Sequence, residues 1–405
     1  MKKTYIAQSI ALAMLAVASS ASQAVSFSQN DVTLDINGTV NGFYVNRDVT
    51  TTNRTTGQSF TSNNSELSNG LLPGWINFVA TTQANGQDIK AHISFAPGIN
   101  SNSKVVGLPI GNNAGAGSVN PYSQIDTRNL YFQFGNKDWG TLKFGRDIGL
   151  FGQNVILNDM TLIGVGGTTN ASMPYNTTFG MIGHGYMYTG FQAQITYTTP
   201  NVNGLQAAVG VFQPSHFSGN ETKSPAFQGM VQYDWTGSVP GKVWGGLIHQ
   251  STSCSDTATV SCSSPGNRTW AADGQEIGAK AGFGNFDAMA YAFSGKGLGL
   301  STTGALFFNG GSPVTGERVK SDGHLLQGTY KFGATKVGLN YGQNKDTNGA
   351  LAGEIKSRAY TLGVYHSLNK FVTLVAELNQ EKIEDRDAML DTKARSISLG
   401  GIIFF

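Results

Sequence analysis

Six histidines, His92, His184, His216, His249, His324 and His366, are the obvious carriers of acid–base chemistry in this chain, and Cys254 and Cys262 are its only thiols. Nucleophilic catalysis needs a nucleophile, a base and a third group that orients the base. No histidine here stands in a motif that fixes those three. Histidines dispersed in this way are more often ordinary wall or loop residues than bases, so a hydrolase is a rival reading with no motif behind it. The cysteines lie in a Ser-rich segment with no histidine between or beside them, which leaves a metal short of four ligands. In an oxidising compartment the pair reads as a local disulfide stapling one loop.

The compartment follows from the amino terminus. Lys2 and Lys3 precede an apolar run from Ile6 to Val17 and then the small residues Ser19 to Ala24. That order is a secretory signal peptide. The run is shorter than the ~20 residues a bilayer-spanning helix needs. Ser22 and Ala24 suit the small-residue positions of a cleavage site, so residues 1–24 are expected to be removed and residues 25–405 to form one domain. Removal takes two lysines and no acid, which brings the formal net charge from +2 to 0. Lys and Arg are scattered among acids and form no positive stripe, so nucleic acid is not an expected partner.

After the signal, apolar residues come in alternation. In the last segment Ile397, Leu399, Ile403 and Phe405 share one face, while Ser396, Ser398 and Gly400 share the other. The same repeat appears in Val337, Leu339 and Tyr341, and in Val372, Leu374, Ala376 and Leu378 against Thr373, Glu377 and Asn379. A period of two builds strands with one apolar and one polar face. One face suits lipid and the other water. Backbone groups in hydrocarbon need internal partners, so such strands span a membrane only as a closed barrel. Seven short turns are expected at Ala84–Gly86, Asn136–Asp138, Pro200–Asn203, Thr236–Gly241, Gly284–Asn285, Gly333–Thr335 and Asn369–Lys370. Eight stretches rich in Thr, Asn, Gly and Ser read as long loops: Arg47–Gly70, Pro97–Gln124, Ile148–Gly183, Gln213–Ser224, Thr252–Thr269, Leu298–Ser321, Asp346–Lys356 and Glu381–Thr392. Together they join 16 strands, with 14 or 18 as the alternative counts, and a barrel of that size leaves an aqueous lumen. The fold class is therefore all-β, a transmembrane antiparallel β-barrel.

The segment Arg128-Asn-Leu-Tyr-Phe-Gln-Phe-Gly-Asn-Lys-Asp-Trp-Gly-Thr-Leu-Lys-Phe-Gly-Arg146 resembles the strand-turn-strand of Gram-negative general porins. Phe405 resembles that family's carboxy-terminal assembly signal. The resemblance implies a homotrimer in the outer membrane, a water-filled channel for small hydrophilic solutes and ions, and no cofactor. It also implies that the loop after Gly-Arg folds inward as a constriction, its acids facing basic residues on the wall. On that pattern Asp147 opens the loop, Asp159 is a loop acid, Arg128 belongs to the wall cluster and Arg146 is the strand-end arginine. Two departures weaken the expected field: Ile163 stands where the family has a glutamate, and Thr39 where it often has a wall lysine. Charge selectivity is expected to be weak.

The loop itself is unusually apolar for a polar channel. Ile148, Leu150, Phe151, Val155, Ile156, Leu157, Leu162 and Ile163 are costly in water, so they are expected to pack on the inner wall. Parity raises a difficulty, since Arg128 shares a face with Leu130, Phe132 and Phe134, and Arg146 with Leu142 and Phe144. Either those apolar residues face inward to seat the loop or a bulge breaks the count; the first is preferred here. Tyr44, Trp75, Trp139, Tyr186, Tyr188, Tyr233, Trp235, Tyr330 and Tyr360 fall near expected strand ends and read as interfacial girdles. A substrate-selective channel and an adhesin with partner-binding loops stand beside the diffusive pore as further readings.

Overall fold

The computed structural model describes residues 24–99, 125–168, 177–188, 190–214, 220–254, 269–301, 317–348 and 351–405. Sixteen antiparallel strands close into a barrel. They are β1 (Val32–Asn53), β2 (Ser59–Ser68 and Trp75–Ala84), β3 (Gln87–Pro97), β4 (Ile125–Asp126 and Leu130–Asn136) and β5 (Gly140–Ile148). There follow β6 (Phe191–Thr198), β7 (Leu205–Phe212), β8 (Asn220–Glu221 and Ala226–Trp235), β9 (Gly241–Cys254), β10 (Thr269–Phe283) and β11 (Phe286–Lys296). The set ends with β12 (Lys320–Phe332), β13 (Thr335–Thr347), β14 (Ile355–Ser367), β15 (Val372–Asp385) and β16 (Leu390–Phe404). The two pieces of β2 pair in line with the upper and lower halves of β1.

Closure comes from β1 against β16, paired from Thr39↔Phe404 to Asn53↔Leu390. Gly38 and Phe405 then exchange two backbone hydrogen bonds of 2.8 and 3.0 Å. Beyond them, residues Val25–Gln29 turn back through Asn30 and Asp31, both at positive φ, and pair with Val32–Ile36. This arm covers the edge that β16 leaves free, as the rule against open edges requires.

The period of two shows directly in exposure. Ile397, Leu399 and Ile403 are 51%, 52% and 44% exposed, while their neighbours Ser396 and Ser398 are buried. All seven short turns fall where the sequence placed them. Two loops are shorter than expected, because β1 runs to Asn53 and the β15–β16 hairpin spans only residues 386–389. Thr and Asn in those stretches are strand residues whose ladder continues past the apolar band. No described helix is long and apolar enough to cross a membrane.

Two expectations need correction. Leu130 and Phe132 are 52% and 51% exposed and Phe132 stacks on Phe144, so this face meets lipid and not the loop. The count breaks instead at residues 127–129, between the two pieces of β4. Likewise Trp75, Tyr186 and Tyr188 are not girdle residues. Trp75 and Tyr186 are buried, and Tyr188 packs on the apolar core inside the barrel.

Candidate functional site

Between β5 and β6 the chain runs inward, through the short helix α1 (Gln153–Asn158) and a 3-10 turn at Met160–Ile163. Its apolar side chains are buried, as their cost in water demands. Phe151 and Val155 are fully buried and Leu150, Ile156 and Leu162 nearly so. Their seat is the inner wall of β7 to β12, including Phe212, Trp244, Ile248, Tyr291 and Leu325. The far end of the loop presses Ile163 and Val165 onto Phe43, Val45, Tyr365, Val375 and Ile402. Fully burying a side chain of this size stabilises by about 1.5–3 kcal/mol, so the seat is strong. Approach is close enough to need glycine: a Cβ on Gly342 of β13 would lie 1.6 Å from the carbonyl oxygen of His184.

Wall carboxylates then hold the loop backbone. Glu276 of β10 accepts from the N–H of Gly152 at 2.9 Å and from Tyr291 Oη at 2.8 Å. Glu377 of β15 accepts from the N–H groups of Val165 and Gly166 at 2.8 and 2.7 Å and from Tyr365 Oη at 2.7 Å. Glu381 accepts from the N–H of Thr168 at 2.7 Å and lies 2.9 Å from His184 Nε2. On its other side His184 meets the Ser357 hydroxyl. A serine, a histidine and a glutamate are thus in line, but all three are buried to 1% exposure or less beneath the loop. No substrate reaches them, and the chain of bonds acts as a staple.

The residues expected at the constriction divide into two pairs. Asp159 lies within the loop, fully buried, and turns back on it. Its carboxylate accepts from the N–H and hydroxyl of Thr161 at 2.9 and 2.8 Å, the N–H of Met181 at 3.2 Å and Tyr186 Oη at 2.7 Å. Burial pushes it above the ordinary aspartate range, against those hydrogen bonds, which pull it down. Arg146 pairs in register with exposed Leu130, and its Nε donates to the Thr127 carbonyl at 3.0 Å. Neither faces the lumen.

Of the other pair, Arg128 borders open space and Asp147 is buried in the wall beside it. β5 continues to Ile148, so Asp147 is a wall residue and not the first of the loop. It pairs with Lys143, four residues back on the same strand, and accepts from Asn129 Nδ2 at 2.7 Å. Because the ladder is broken beside it, Arg128 swings in: its guanidinium lies 5.2 Å from the Trp75 ring and 5.5 Å from Phe191, with Asp126 Oδ2 3.3 Å from Nε. It borders a small, mostly apolar cleft of about 40 Å³ between Leu72 and Trp75 on one side and Ile156, Leu157 and Tyr188 on the other. On the side of the short turns, a polar space is lined by Thr33, Gln83, Lys90, Gln133, Thr141 and Gln206.

Lys90 and Lys143 are wall residues that the sequence reading did not single out, and His92, read there only as one of six dispersed histidines, stands beside them. They occupy the polar parity of β3 and β5, opposite to Ile93, Leu142 and Phe144, and could have been read from it. Lys90 and Lys143 sit 5.6 and 4.8 Å from the Tyr131 ring. His92 bonds Asn77 at 2.9 Å and Tyr131 Oη at 3.3 Å. The side chain of Cys254 and the whole of Cys262 lie outside the described residues, as do residues 1–23.

A family model for Gram-negative porins matches residues 11–386. The chain belongs to the Gram-negative porin family. It is an outer-membrane channel for passive diffusion and not an enzyme. No curated protein matches it. Among solved structures, the outer-membrane channel DcaP of Acinetobacter baumannii is 14% identical, with a TM-score of 0.62 over 93% of this chain and 99% of that one. OmpF of Salmonella typhi, solved in complex with daunomycin, is 14% identical with a TM-score of 0.54 over 93% and 100%. OmpT of Vibrio cholerae is 11% identical with a TM-score of 0.54 over 94% and 100%. These likenesses are of fold. The porin's inner loop, seated on one side of the barrel, is the feature its function must accommodate.

Proposed function

We propose that small hydrophilic solutes cross along the β2–β6 side of the barrel. They pass from the polar space at Gln83 and Gln133, past Lys90 and Lys143, to the cleft beside Trp75 and Arg128. The observation that carries this path is the one-sided seat of the loop. Apolar packing and three wall carboxylates fill the lumen from β7 round to β1, while the remaining wall presents polar and basic side chains. Ionised groups at a narrow, weakly screened place decide which small ions enter. Asp159 is turned away, and Asp147 offsets one of the two lysines. Asp31 and Asp88 line the wider mouth with Lys90 and Lys137, and beyond it Lys90, Lys143 and Arg128 against Asp147 and Asp126 leave a surplus of one, so the channel prefers anions weakly, and Arg128 and Asp147 are its constriction residues. Export requires removal of residues 1–24, and the mature chain works as a homotrimer, the closed symmetric assembly its family resemblance implies.

The test is the folded mature protein in a planar bilayer under a KCl gradient. Conductance steps in groups of three and a reversal potential of anion-preferring sign support the reading. A cation-preferring sign overturns the assignment of Lys90 and Lys143, and single unit steps overturn the trimer.

A further inference from the structure

One stretch of the wall is not laddered. Between its two pieces β2 leaves β1 for residues 69–74, so residues 40–42 of β1 have no β2 partner. The break lies at membrane depth, because the outward side chains around it are apolar: Val40, Leu399, Ile403 and Phe95 are 53%, 52%, 44% and 42% exposed. A backbone that leaves its ladder in lipid needs other partners for its N–H and C=O groups. Here two side-chain amides supply them. Asn41 Nδ2 donates to the carbonyls of Leu72 and Pro73 at 2.9 and 3.0 Å, and its Oδ1 accepts from the N–H of Gly70 at 3.0 Å. Asn69 accepts from the N–H of Ile99 at 2.8 Å and donates to the Asn41 carbonyl at 3.1 Å. Pro73 and Pro97 have no N–H to satisfy, and Gly74 donates to the Pro97 carbonyl at 2.8 Å. Ile99 lies over the outer side, where a Cβ on Gly42 would be 3.4 Å from Ile99 Cδ1. Side chains thus hold this seam, whereas an unbroken ladder holds β1 to β16.

Behind the seam the lining is apolar. Leu71 and Leu72 dip inward with the displaced segment, and with Trp75, Phe191, Tyr188 and Ile156 they line the small cleft that Arg128 borders. A path for hydrophilic solutes gains nothing from such a lining, which is costly to expose to water. From the cleft, Leu72, Pro73, Pro97 and Ile99 carry the apolar surface through the wall towards Val40 and Phe95. At the two edges of the break, Ser68 Oγ and Trp75 Nε1 are buried without a hydrogen-bond partner. Orphaned buried polar groups cost free energy, so the closed seam is weakened where it would have to part.

We infer that this seam is a lateral exit through which amphipathic solutes pass from the lumen into the membrane. The inference rests on the reading that solutes reach the cleft beside Trp75 and Arg128. The solute class is an alkyl or aryl chain with one anionic head, the chain entering the cleft while the head stays beside Arg128. The break adjoins the long-loop half of β2, and long loops mark the outer face of such barrels, so the receiving leaflet is the outer one. At about 40 Å³ the cleft holds only the leading end of such a chain. Passage therefore requires residues 70–73 to move aside, against the bonds of Asn41 and the packing of Leu71.

The test uses cells of a porin-deficient Gram-negative host producing the full chain, offered decanesulfonate as the amphipathic probe and ethanesulfonate as the hydrophilic one. Sulfonates keep their charge, so neither crosses a membrane as a neutral acid. The variant Gly42→Cys/Ile99→Cys places two thiols across the outer side of the seam. Oxidation joins them and reduction frees them in the same folded protein, with the parent treated alike. Joined thiols, verified by mass spectrometry, should cut decanesulfonate uptake severalfold and leave ethanesulfonate uptake unchanged. Equal decanesulfonate uptake in the two states overturns the lateral exit, as does a parallel fall of both probes, which means a shared aqueous route. Asn41→Ala needs no cross-link. It removes three bonds from residues 70–73 and should raise decanesulfonate uptake on the order of tenfold at constant ethanesulfonate uptake; no rise overturns the exit equally. Parent cells that admit neither probe would instead refute the path to the cleft.

Discussion

Replacing Glu377 with alanine removes one of the three wall carboxylates that hold the inner loop, and the consequence can be worked from its bonds. Glu377 is 2% exposed and accepts from the N–H groups of Val165 and Gly166 and from Tyr365 Oη. In Glu377→Ala those two backbone donors lose their acceptor where water enters with difficulty. Each such orphan costs about 1–3 kcal/mol. Return of the carboxylate's own desolvation offsets part of this, which leaves about 2–4 kcal/mol against the seated end of the loop. The packing of Ile163 and Val165 and the bonds to Glu381 remain, so the barrel still forms while the loop end is released far more often. At ~1.4 kcal/mol per factor of ten, the released population rises at least ~30-fold. Single-channel recording reads this as higher mean conductance and added open-channel noise. Glu377→Gln keeps one acceptor oxygen and should fall between the two. A Glu377→Ala channel with unchanged amplitude and noise would refute the carboxylate-anchor reasoning.

The double variant Lys90→Gln/Lys143→Gln leaves Asp147 as the dominant wall charge and should move the reversal potential towards cation preference; no movement removes those lysines from the path. Gly342→Ala sets a Cβ 1.6 Å from the His184 carbonyl oxygen, and overpacking of this kind costs about 1–3 kcal/mol. Its unfolding temperature should drop, whereas Gly229→Ala, where a Cβ meets only an ordinary contact at 3.8 Å, should unfold as the parent does. Asp159 is raised by burial, so its contribution to stability is full below the ordinary aspartate value and is lost as pH rises through the raised one. Asp159→Asn does not titrate. The difference in unfolding temperature, variant minus parent, should therefore become more favourable as pH rises above the ordinary aspartate range; a difference independent of pH counts against the upward shift.

Much of the fold was legible because a membrane β-barrel writes its two environments into alternate residues. The repeat around Leu374, Ala376 and Leu378, the seven turns and the pairing of the last strand all rest on local pattern. The apolar loop was legible too, since Phe151, Val155 and Leu162 have nowhere to go but the wall. Parity failed where the ladder breaks. Residues 127–129 interrupt β4, so Arg128 leaves the lipid face of Leu130 and turns to Trp75 and Phe191. Asp159 looked like a lumen acid by its place in the family motif, but its orientation is set by Tyr186 and Met181 later in the same loop. The anchors were hidden for a different reason. Glu377 meets Val165 across 212 positions of sequence, and alternation says only that it points inward, not what it meets there.

The central claim is that an aqueous path remains beside the seated loop, and current carried by the unmodified protein tests it most directly. Single-channel conductance should be finite and rise in proportion to KCl activity, as a water-filled diffusive pore requires. A folded barrel that stays silent, or whose current saturates at low salt, would contradict it.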